Sequence, residues 1–317
     1  MQLELLYHGN CFDGCASAAL FARFFREREG TRLSEISFRP LHHQQGDPFP
    51  KDAFAADVTA CVDFRFSPRL HWWFDHHASA FPAPEDRAAF ERDTSGQKFW
   101  DPTAPSCTGF IARTLADRFA WRADDLAELV AWADVIDAAR FDSAQTAVRL
   151  EQPALKIMTL LEATKDPSVP TRLIEAMQHR SLSEIAAEPW VSGPLGPILE
   201  RHRSNIDVVR RHARVSDGVV EVDLGDTAVE GANKFIAYDL FPDARYTVVV
   251  TKDAKKTKIS VGSNPWAREK RTHDISKLCE RYGGGGHPVV GAVSLGPDQL
   301  AEARRIAREI AGALRTP

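Results

Sequence analysis

The chain is poor in the features that would tie it to an oxidising or membrane setting. Cysteine occurs five times in 317 residues, at positions 11, 15, 61, 107 and 279. The number is odd, and only Cys11-x-x-x-Cys15 brings two of them close, at a spacing unlike a zinc motif. A disulfide framework is therefore not expected, and free thiols in a reducing cytoplasm are. No run approaches the roughly 20 apolar residues that a membrane helix needs. The opening Met-Gln-Leu-Glu-Leu-Leu-Tyr lacks the basic start and long apolar core of a secretory signal. A cytoplasmic protein with no membrane partner is the expectation. An excess of one charge is missing too: Lys and Arg total 40 against 44 Asp and Glu, a net charge of -4, so any anion-binding surface must be local. There is no G-x-S-x-G, no G-x-x-x-x-G-K-[ST], and no G-x-G-x-x-G after the first apolar strand. These absences exclude the serine-hydrolase elbow, the P-loop and the dinucleotide fingerprint. Neither repeats nor low-complexity tracts occur.

What is present is ordinary in bulk and specific in places. Apolar residues make up 44 % and charged residues 26 %, typical of a globular protein. Leu3 to Tyr7, Ser34 to Pro40, Val58 to Phe64 and Leu70 to Phe74 read as buried strands. The Ala-, Leu- and Phe-rich stretch Cys15 to Arg28 reads as a helix. Ser106 to Phe119, Asp124 to Ala139, Glu151 to Glu162 and Thr171 to Ala187 have helical spacing, as does the long charged stretch Leu195 to Arg214. A new start near Ser216 gives strands at Val219 to Leu224, Tyr246 to Thr251, Lys258 to Val261 and Val289 to Leu295. Helices are expected there at Gly231 to Phe241, His273 to Arg281 and Pro297 to Leu314, with a loop at Gly283 to Gly286. The fold class is α/β: a mainly parallel sheet with helices on both faces at 1–190, a helical linker at 191–215, and a smaller α/β domain at 216–317.

Ligand-type residues gather at predicted strand ends, where open α/β sheets keep their sites. Between the first strand and helix lie His8, Asn10, Cys11, Asp13 and Cys15, any of which can bind a metal or an anion; the bland reading is that Asp13 or Asn10 caps the helix. Asp63 closes an apolar strand, a costly place for an unpaired carboxylate, although a lone Asp there is commonly a turn residue. Asp75-His76-His77 follows the apolar run Leu70, Trp72, Trp73, Phe74. On an extended segment neighbouring side chains point opposite ways, so one His can face a metal while its neighbour or Asp75 orients. Asp134 and Asp137 share a helical face and are rivals for one role. A set of several Asp with one or two His suits Mn²⁺ or Mg²⁺ better than structural zinc. Two such ions about 3.5–4 Å apart would clamp the attacking and leaving oxygens of a phosphoryl transfer. Gly283-Gly284-Gly285-Gly286-His287 offers close backbone approach and free amides for an anion. Lys252, Lys255, Lys256, Lys258, Arg268, Lys270 and Arg271 lie in the same part of the chain, either as a phosphate funnel or simply as a solvated face. Trp266 could stack on a base or pack against the protein.

Together, Asp75-His76-His77, the Asp13-Gly14 start of the first helix and the C-terminal Gly-Gly-Gly-Gly-His resemble the DHH phosphoesterase superfamily with a DHHA1 domain. That superfamily includes RecJ, nanoRNases, cyclic-dinucleotide phosphodiesterases and exopolyphosphatase-like proteins. The resemblance implies a metal-dependent phosphoesterase that cleaves a phosphodiester of a short single-stranded oligonucleotide or a nucleotide by attack of metal-bound hydroxide. A phosphoanhydride hydrolase and a degenerate nucleotide-binding member are the alternatives. It also implies a C-terminal domain that binds substrate across a cleft. One or two Mn²⁺ ions are implied, with Mg²⁺ as the alternative, and a homodimer is kept open. By position, the resemblance makes Asp63 the bridging carboxylate and His76 a metal ligand, with His8 and Asp13 beside them. It sets His77 near the scissile phosphate with Asp75 orienting it, and makes Asp134 the last ligand, with Asp137 as the other choice. Gly283 to Gly286 and His287 become the substrate loop. Two positions depart from the pattern. The usual pair of Asp in the first motif is reduced to Asp13, leaving Cys11 or Asn10 near the vacant place. Gly262 stands where many relatives carry Arg, so Asn264 or Arg268 is the expected substitute.

Overall fold

In a computed structural model, residues 1–42, 47–229 and 232–316 are described. They form two compact units, one of Met1–Phe141 with Leu150–Gly196, the other of Asp142–Arg149 with the chain from Pro197 onward. The first unit holds strands β1 (Gln2–His8), β2 (Glu35–Leu41), β3 (Val58–Val62), β4 (Trp72–Asp75) and β5 (Lys98–Trp100). They form one sheet in the order β2-β1-β3-β4-β5, parallel throughout. The chain leaves β1 in one direction to reach β2 and in the other to reach β3. This reversal of strand order opens a crevice at the carboxyl ends of β1 and β3.

Helices α1 (Phe12–Glu29), α2 (Pro84–Glu91), α3 (Cys107–Phe119) and α4 (Ala127–Asp137) follow in this unit. The four residues of β4 are all buried because both faces of the sheet are covered. Trp72 and Phe74 meet Phe21 of α1 on one face. Trp73 meets Phe66, Phe81 and Phe90 on the other. Helix α1 starts at Phe12 rather than at Cys15, which puts Asp13 in its first turn. Gly14 makes that tight entry possible, since a Cβ there would lie 2.1 Å from the His8 carbonyl oxygen.

Helix α5 (Ala144–Arg149) belongs to the second unit, although its sequence sits inside the stretch read as the first domain. Helices α6 (Pro153–Ala163), α7 (Ser168–Met177) and α8 (Leu182–Ala187) return to the first unit, and α9 (Pro189–His212) supplies residues to both. Thr171 to Ala187, read as one helix, is two. Ser181 starts the second with a capping box in which its hydroxyl and the Glu184 carboxylate each satisfy a backbone N–H of the other.

The second unit adds β6 (Ala213–Ser216), β7 (Val219–Asp223), α10 (Ile236–Leu240), β8 (Tyr246–Lys252), β9 (Thr257–Ser263), α11 (Ile275–Glu280), β10 (Gly285–His287), β11 (Val290–Leu295) and α12 (Leu300–Arg315). The sheet order is β10-β11-β9-β8-β7-β6, with β7 and β8 its one parallel pair. Val219, Val248, Val250 and Ile259 pack with Ile306 and Ile310 of α12. Val220 and Val222, one residue out of phase on β7, pack with Val148, Val209 and Ile236. Two readings change here. The helix expected at Gly231 to Phe241 is limited to Ile236–Leu240, and Gly231 lies outside the described residues. The loop expected at Gly283 to Gly286 contributes to the edge strand β10. Gly286, at φ 150°, lies where a Cβ would be 2.2 Å from the Val290 carbonyl oxygen. At Gly284 a Cβ would be 2.2 Å from the Ala292 carbonyl oxygen. Two of the four glycines therefore have a packing reason to be glycine. No helix among the described residues is long and apolar enough to cross a membrane.

Candidate metal centre

Three adjacent strand ends deliver the site: β1 ends at His8, Asp63 follows β3, and β4 ends at Asp75. The Asp63 amide donates to the Phe74 carbonyl (2.9 Å). Its backbone is left-handed, at φ 57°, a region that Asp enters more readily than most residues. The Asp63 side chain is 1 % exposed, and its two oxygens face different partners. Oδ2 lies 3.3 Å from His8 Nδ1, and Oδ1 lies 3.5 Å from His76 Nε2.

His76 is oriented from behind. Its Nδ1 lies 3.0 Å from the Ala104 carbonyl oxygen, which fixes Nδ1 as the donor and leaves Nε2 for the site. That Nε2 is 3.4 Å from Asp137 Oδ2 and 3.8 Å from Asp13 Oδ2. Asp13 is fully buried and gripped by the N-terminus of α3. Its Oδ2 accepts from the Cys107 amide (2.7 Å), and its Oδ1 accepts from the Thr108 amide (3.0 Å) and hydroxyl (2.6 Å). A helix N-terminus is a favourable place for an anion. Cys11 precedes α1 and makes no side-chain capping bond. Its thiol falls with His8 and Asp63 in one group whose ligand atoms all lie within 4.8 Å of one another. Asp63, His76 and His77 form a second such group, and Asp13, His76 and Asp137 a third.

These residues fit a divalent cation. Asp63 Oδ1 and His76 Nε2 are buried with no hydrogen-bond partner among the described residues, as is Asp75 Oδ2. A buried polar atom left unpaired costs about 1–3 kcal/mol, and a cation held by Asp63 and His76 would remove that cost for two of the three. His77 differs from His76. Its Nδ1 lies 2.7 Å from Asp75 Oδ1, which also accepts from the amides of His76 (2.8 Å) and His77 (3.2 Å). Trp100 Nε1 donates to the His77 carbonyl (2.9 Å), and the His77 side chain remains 35 % exposed.

Asp134 and Asn10 have other surroundings in this unit, and the remaining predicted residues belong to the second unit. Asp134 Oδ1 accepts from the Ser106 hydroxyl (2.5 Å), and that hydroxyl in turn accepts from the Gly109 amide as the cap of α3. Asp134 thus faces the start of α3, while Asp137, one turn on, faces His76. Asn10 is exposed at φ 56°. Asn264 uses its amide on the chain itself: Nδ2 donates to the carbonyls of Pro242 (3.1 Å) and Ala244 (2.9 Å), and Oδ1 accepts from the Trp266 amide (3.0 Å). Trp266 packs edge-on to Phe235 and Tyr238. His287 and Arg268 are exposed. Sequence reading overlooked Ala104, Cys107 and Thr108, which act through backbone groups that side-chain chemistry does not announce. Ser106, the third residue before Gly109 and a good capping residue, was the available signal for this anchoring helix end.

No protein-family model and no curated protein matches the sequence. Solved structures do. A pGpG-specific phosphodiesterase, PggH from Vibrio cholerae, superposes with a TM-score of 0.69 at 19 % identity over 99 % of both chains. RecJ from Thermus thermophilus in complex with Mn²⁺ gives 0.52 at 12 % identity, over 98 % of this chain and 52 % of that one. Its Mg²⁺ complex gives 0.50 at 12 % identity. The chain spans about half the length of RecJ. The chain shares the fold of PggH and of the matching half of RecJ.

At the strand ends the crowded carboxylates set the electrostatics. Burial, then the negative charges of Asp63 and Asp137, push Asp13 up to about 8, against hydrogen bonds from Thr108 that pull it down. Burial and Asp63 likewise raise Asp137, and burial raises Asp75. Burial would raise Asp63 as well, but the His76, His8 and His77 rings beside it outweigh that and hold Asp63 below the usual range. His76 moves the other way. Burial disfavours its charge, yet the Asp63 carboxylate beside it and the hydrogen bond to the Ala104 carbonyl carry it up to about 10. The cluster is thus a basin of negative charge that retains protons.

Proposed function

We propose that the chain is a divalent-metal-dependent phosphodiesterase acting on a short oligonucleotide or a nucleotide-derived diester. One observation carries this reading: buried Asp63 turns one oxygen to His8 and the other to His76, with acceptors left over, at the strand ends of a DHH fold. Asp63, His76, Asp13 and Asp137 would hold one ion, and Asp63 with His8 would reach a second. Mn²⁺ and Mg²⁺ suit the oxygen-rich part of the set. When bound, such an ion neutralises phosphate charge and lowers the pKa of an attacking water. The chain's own groups do the rest. The Ala104 carbonyl fixes the His76 tautomer. Asp75 holds His77 through Nδ1, so Nε2 is the atom that meets phosphate and carries a proton to the leaving oxygen. His77 is raised by its hydrogen bond to Asp75, which favours the protonated donor form. In the second unit, Gly283 to Gly286, His287 and Arg268 are the proposed contacts to the remainder of the substrate.

A linear dinucleotide such as pGpG is the first substrate to try, because the similar fold of PggH carries that specificity. The test is a panel of dinucleotides, longer single-stranded oligonucleotides, cyclic dinucleotides and polyphosphate with Mn²⁺ present, run on the parent and on Asp63→Asn. Asn keeps the shape and tolerates the left-handed backbone. Turnover of a diester that disappears in Asp63→Asn is expected. Equal rates in parent and variant, or turnover of polyphosphate alone, would overturn the reading.

A further inference from the structure

Cys11 and Asn10 lie near the position where the resemblance expects a further Asp in the first motif, and we infer that the Cys11 thiolate is a metal ligand that makes the His8–Cys11–Asp63 subsite selective for borderline ions such as Zn²⁺, Fe²⁺ or Co²⁺. This rests on the metal-site part of the proposed function and deepens it. Four observations converge. The Cys11 thiol, a His8 ring nitrogen and an Asp63 oxygen lie within 4.8 Å of one another, a spread that one ion can bridge with small side-chain movements. Cys11 stands at the N-terminus of α1 and makes no side-chain capping bond to it. The neighbouring Asp63, 1 % exposed, keeps Oδ1 unpartnered, and His76, with a side chain 9 % exposed, keeps Nε2 unpartnered. Asp63 thus brings a buried carboxylate with one unsatisfied oxygen into the Cys11 group, while His76 Nε2 belongs to the adjoining Asp63–His76–His77 and Asp13–His76–Asp137 groups. Finally, Cys15, Cys61, Cys107 and Cys279 are buried, Cys11 alone is partly accessible, and no other cysteine joins a candidate metal group among the described residues.

The chemistry follows from the donor types. One thiolate, one imidazole and one carboxylate form an N/O/S set, which ranks Zn²⁺, Co²⁺ and Fe²⁺ above Mn²⁺ and far above Mg²⁺. The Asp13–Asp63–His76–Asp137 set is oxygen-rich and stays hard. The two halves of the centre therefore differ in preference, with Asp63 common to both. Binding in the Cys11 half releases the thiol proton to solvent, because the thiolate is the form that ligates.

The experiment uses the full chain titrated with Co²⁺ and followed by absorption, since a thiolate bound to Co²⁺ gives a near-ultraviolet charge-transfer band that nitrogen and oxygen ligands do not. The parent should show the band, Cys15→Ser should keep it, and Cys11→Ser should lose it. Cys11→Ser should also bind Zn²⁺ more than about 10-fold more weakly, a loss that even removal of an outer-shell partner can produce. Cys11→Asp should lose the band while gaining Mn²⁺ affinity, which guards against a variant that simply misfolds. A band that persists in Cys11→Ser, or Zn²⁺ affinity unchanged in it, would overturn the inference. Hydrolysis is not the readout. A chain that binds Co²⁺ through Cys11 but cleaves nothing upholds this inference and defeats the phosphodiesterase reading. An active chain without the band does the reverse.

Discussion

Stripping the metal should make the protein's stability fall as pH rises, which is unusual for a protein rich in carboxylates. Asp13 carries most of the effect. Its pKa is raised from 3.8 to about 8 by burial and by Asp63 and Asp137. A carboxyl whose folded pKa lies above its unfolded one contributes stability below about pH 4, and that contribution is lost as pH climbs toward 8. Asp137 is raised and acts in the same direction. His76, raised from 6.5 to about 10, also stabilises while protonated and loses its contribution on the alkaline side. Asp63 is lowered, so its contribution is lost only when pH falls below about 4, outside this window. At 1.36 kcal/mol per pKa unit, Asp13 alone would account for something on the order of 5 kcal/mol. Sharing of protons with Asp137 reduces the net to about 2–3 kcal/mol. The assay is urea unfolding in the presence of a chelator at about pH 5 and about pH 8, repeated with saturating metal. The chelated protein should unfold at markedly lower urea at the higher pH. Metal should abolish the difference, because an ion that binds the folded carboxylates replaces the proton. Asp137→Asn should halve the slope or better. A chelated protein as stable at about pH 8 as at about pH 5 would refute the picture of crowded, proton-retaining carboxylates.

Other expectations are as specific. Ser106→Ala removes the cap of α3 and the partner of Asp134, and should cost about 1–2 kcal/mol while leaving metal content unchanged. Asp134→Asn should likewise keep its metal, whereas Asp137→Asn should weaken metal binding at least about 10-fold; the opposite ranking, read by metal content after dialysis, would restore Asp134 as the ligand. Gly286→Ala forces a Cβ against the Val290 carbonyl at a backbone angle unsuited to alanine. It should cost about 2–3 kcal/mol, seen as faster amide exchange in β10 and β11, and unchanged exchange there would contradict the geometry. Arg304 bridges Asp223 (2.7 Å) and Asp226 (2.5 Å) on a largely exposed surface. Arg304→Ala should therefore cost no more than about 1 kcal/mol, an effect that vanishes in high salt and fades only at strongly acid pH, because Asp223, despite the burial that would raise it, is held by Arg304 below the usual carboxylate range.

The sequence was most legible where apolar patterning and chemistry coincide. Val58 to Val62 and Trp72 to Asp75 are short apolar runs ending in acids, and they became adjacent strands with Asp63 and Asp75 at their ends. β5 was not legible, because three residues beginning with Lys98 carry no pattern and its pairing with β4 is imposed by the sheet. The choice between Asp134 and Asp137 was not legible either. Both lie on one face of α4, and only the position of Ser106 at the start of α3 separates them in space. The glycine run was legible as a place of close approach but not as a strand, since what glycines 284 and 286 approach is the backbone of β11, eight and four residues further along. Asp13 was found for its carboxylate. That its charge is held by the amides of Cys107 and Thr108 could not be read, because backbone donors leave no trace in composition.

The left-handed backbone at Asp63 has a consequence for how such a protein can change over generations. Few residues hold that conformation at low cost, chiefly Gly, Asn and Asp. The codons of Asp and Asn differ by one base. A single transition can therefore exchange the central carboxylate for an amide without disturbing the turn that carries it. Loss of chemistry and loss of fold are uncoupled at this position. A copy of the gene released from selection for the proposed hydrolysis would keep its fold one mutation away from its parent, and the same single base would restore the carboxylate.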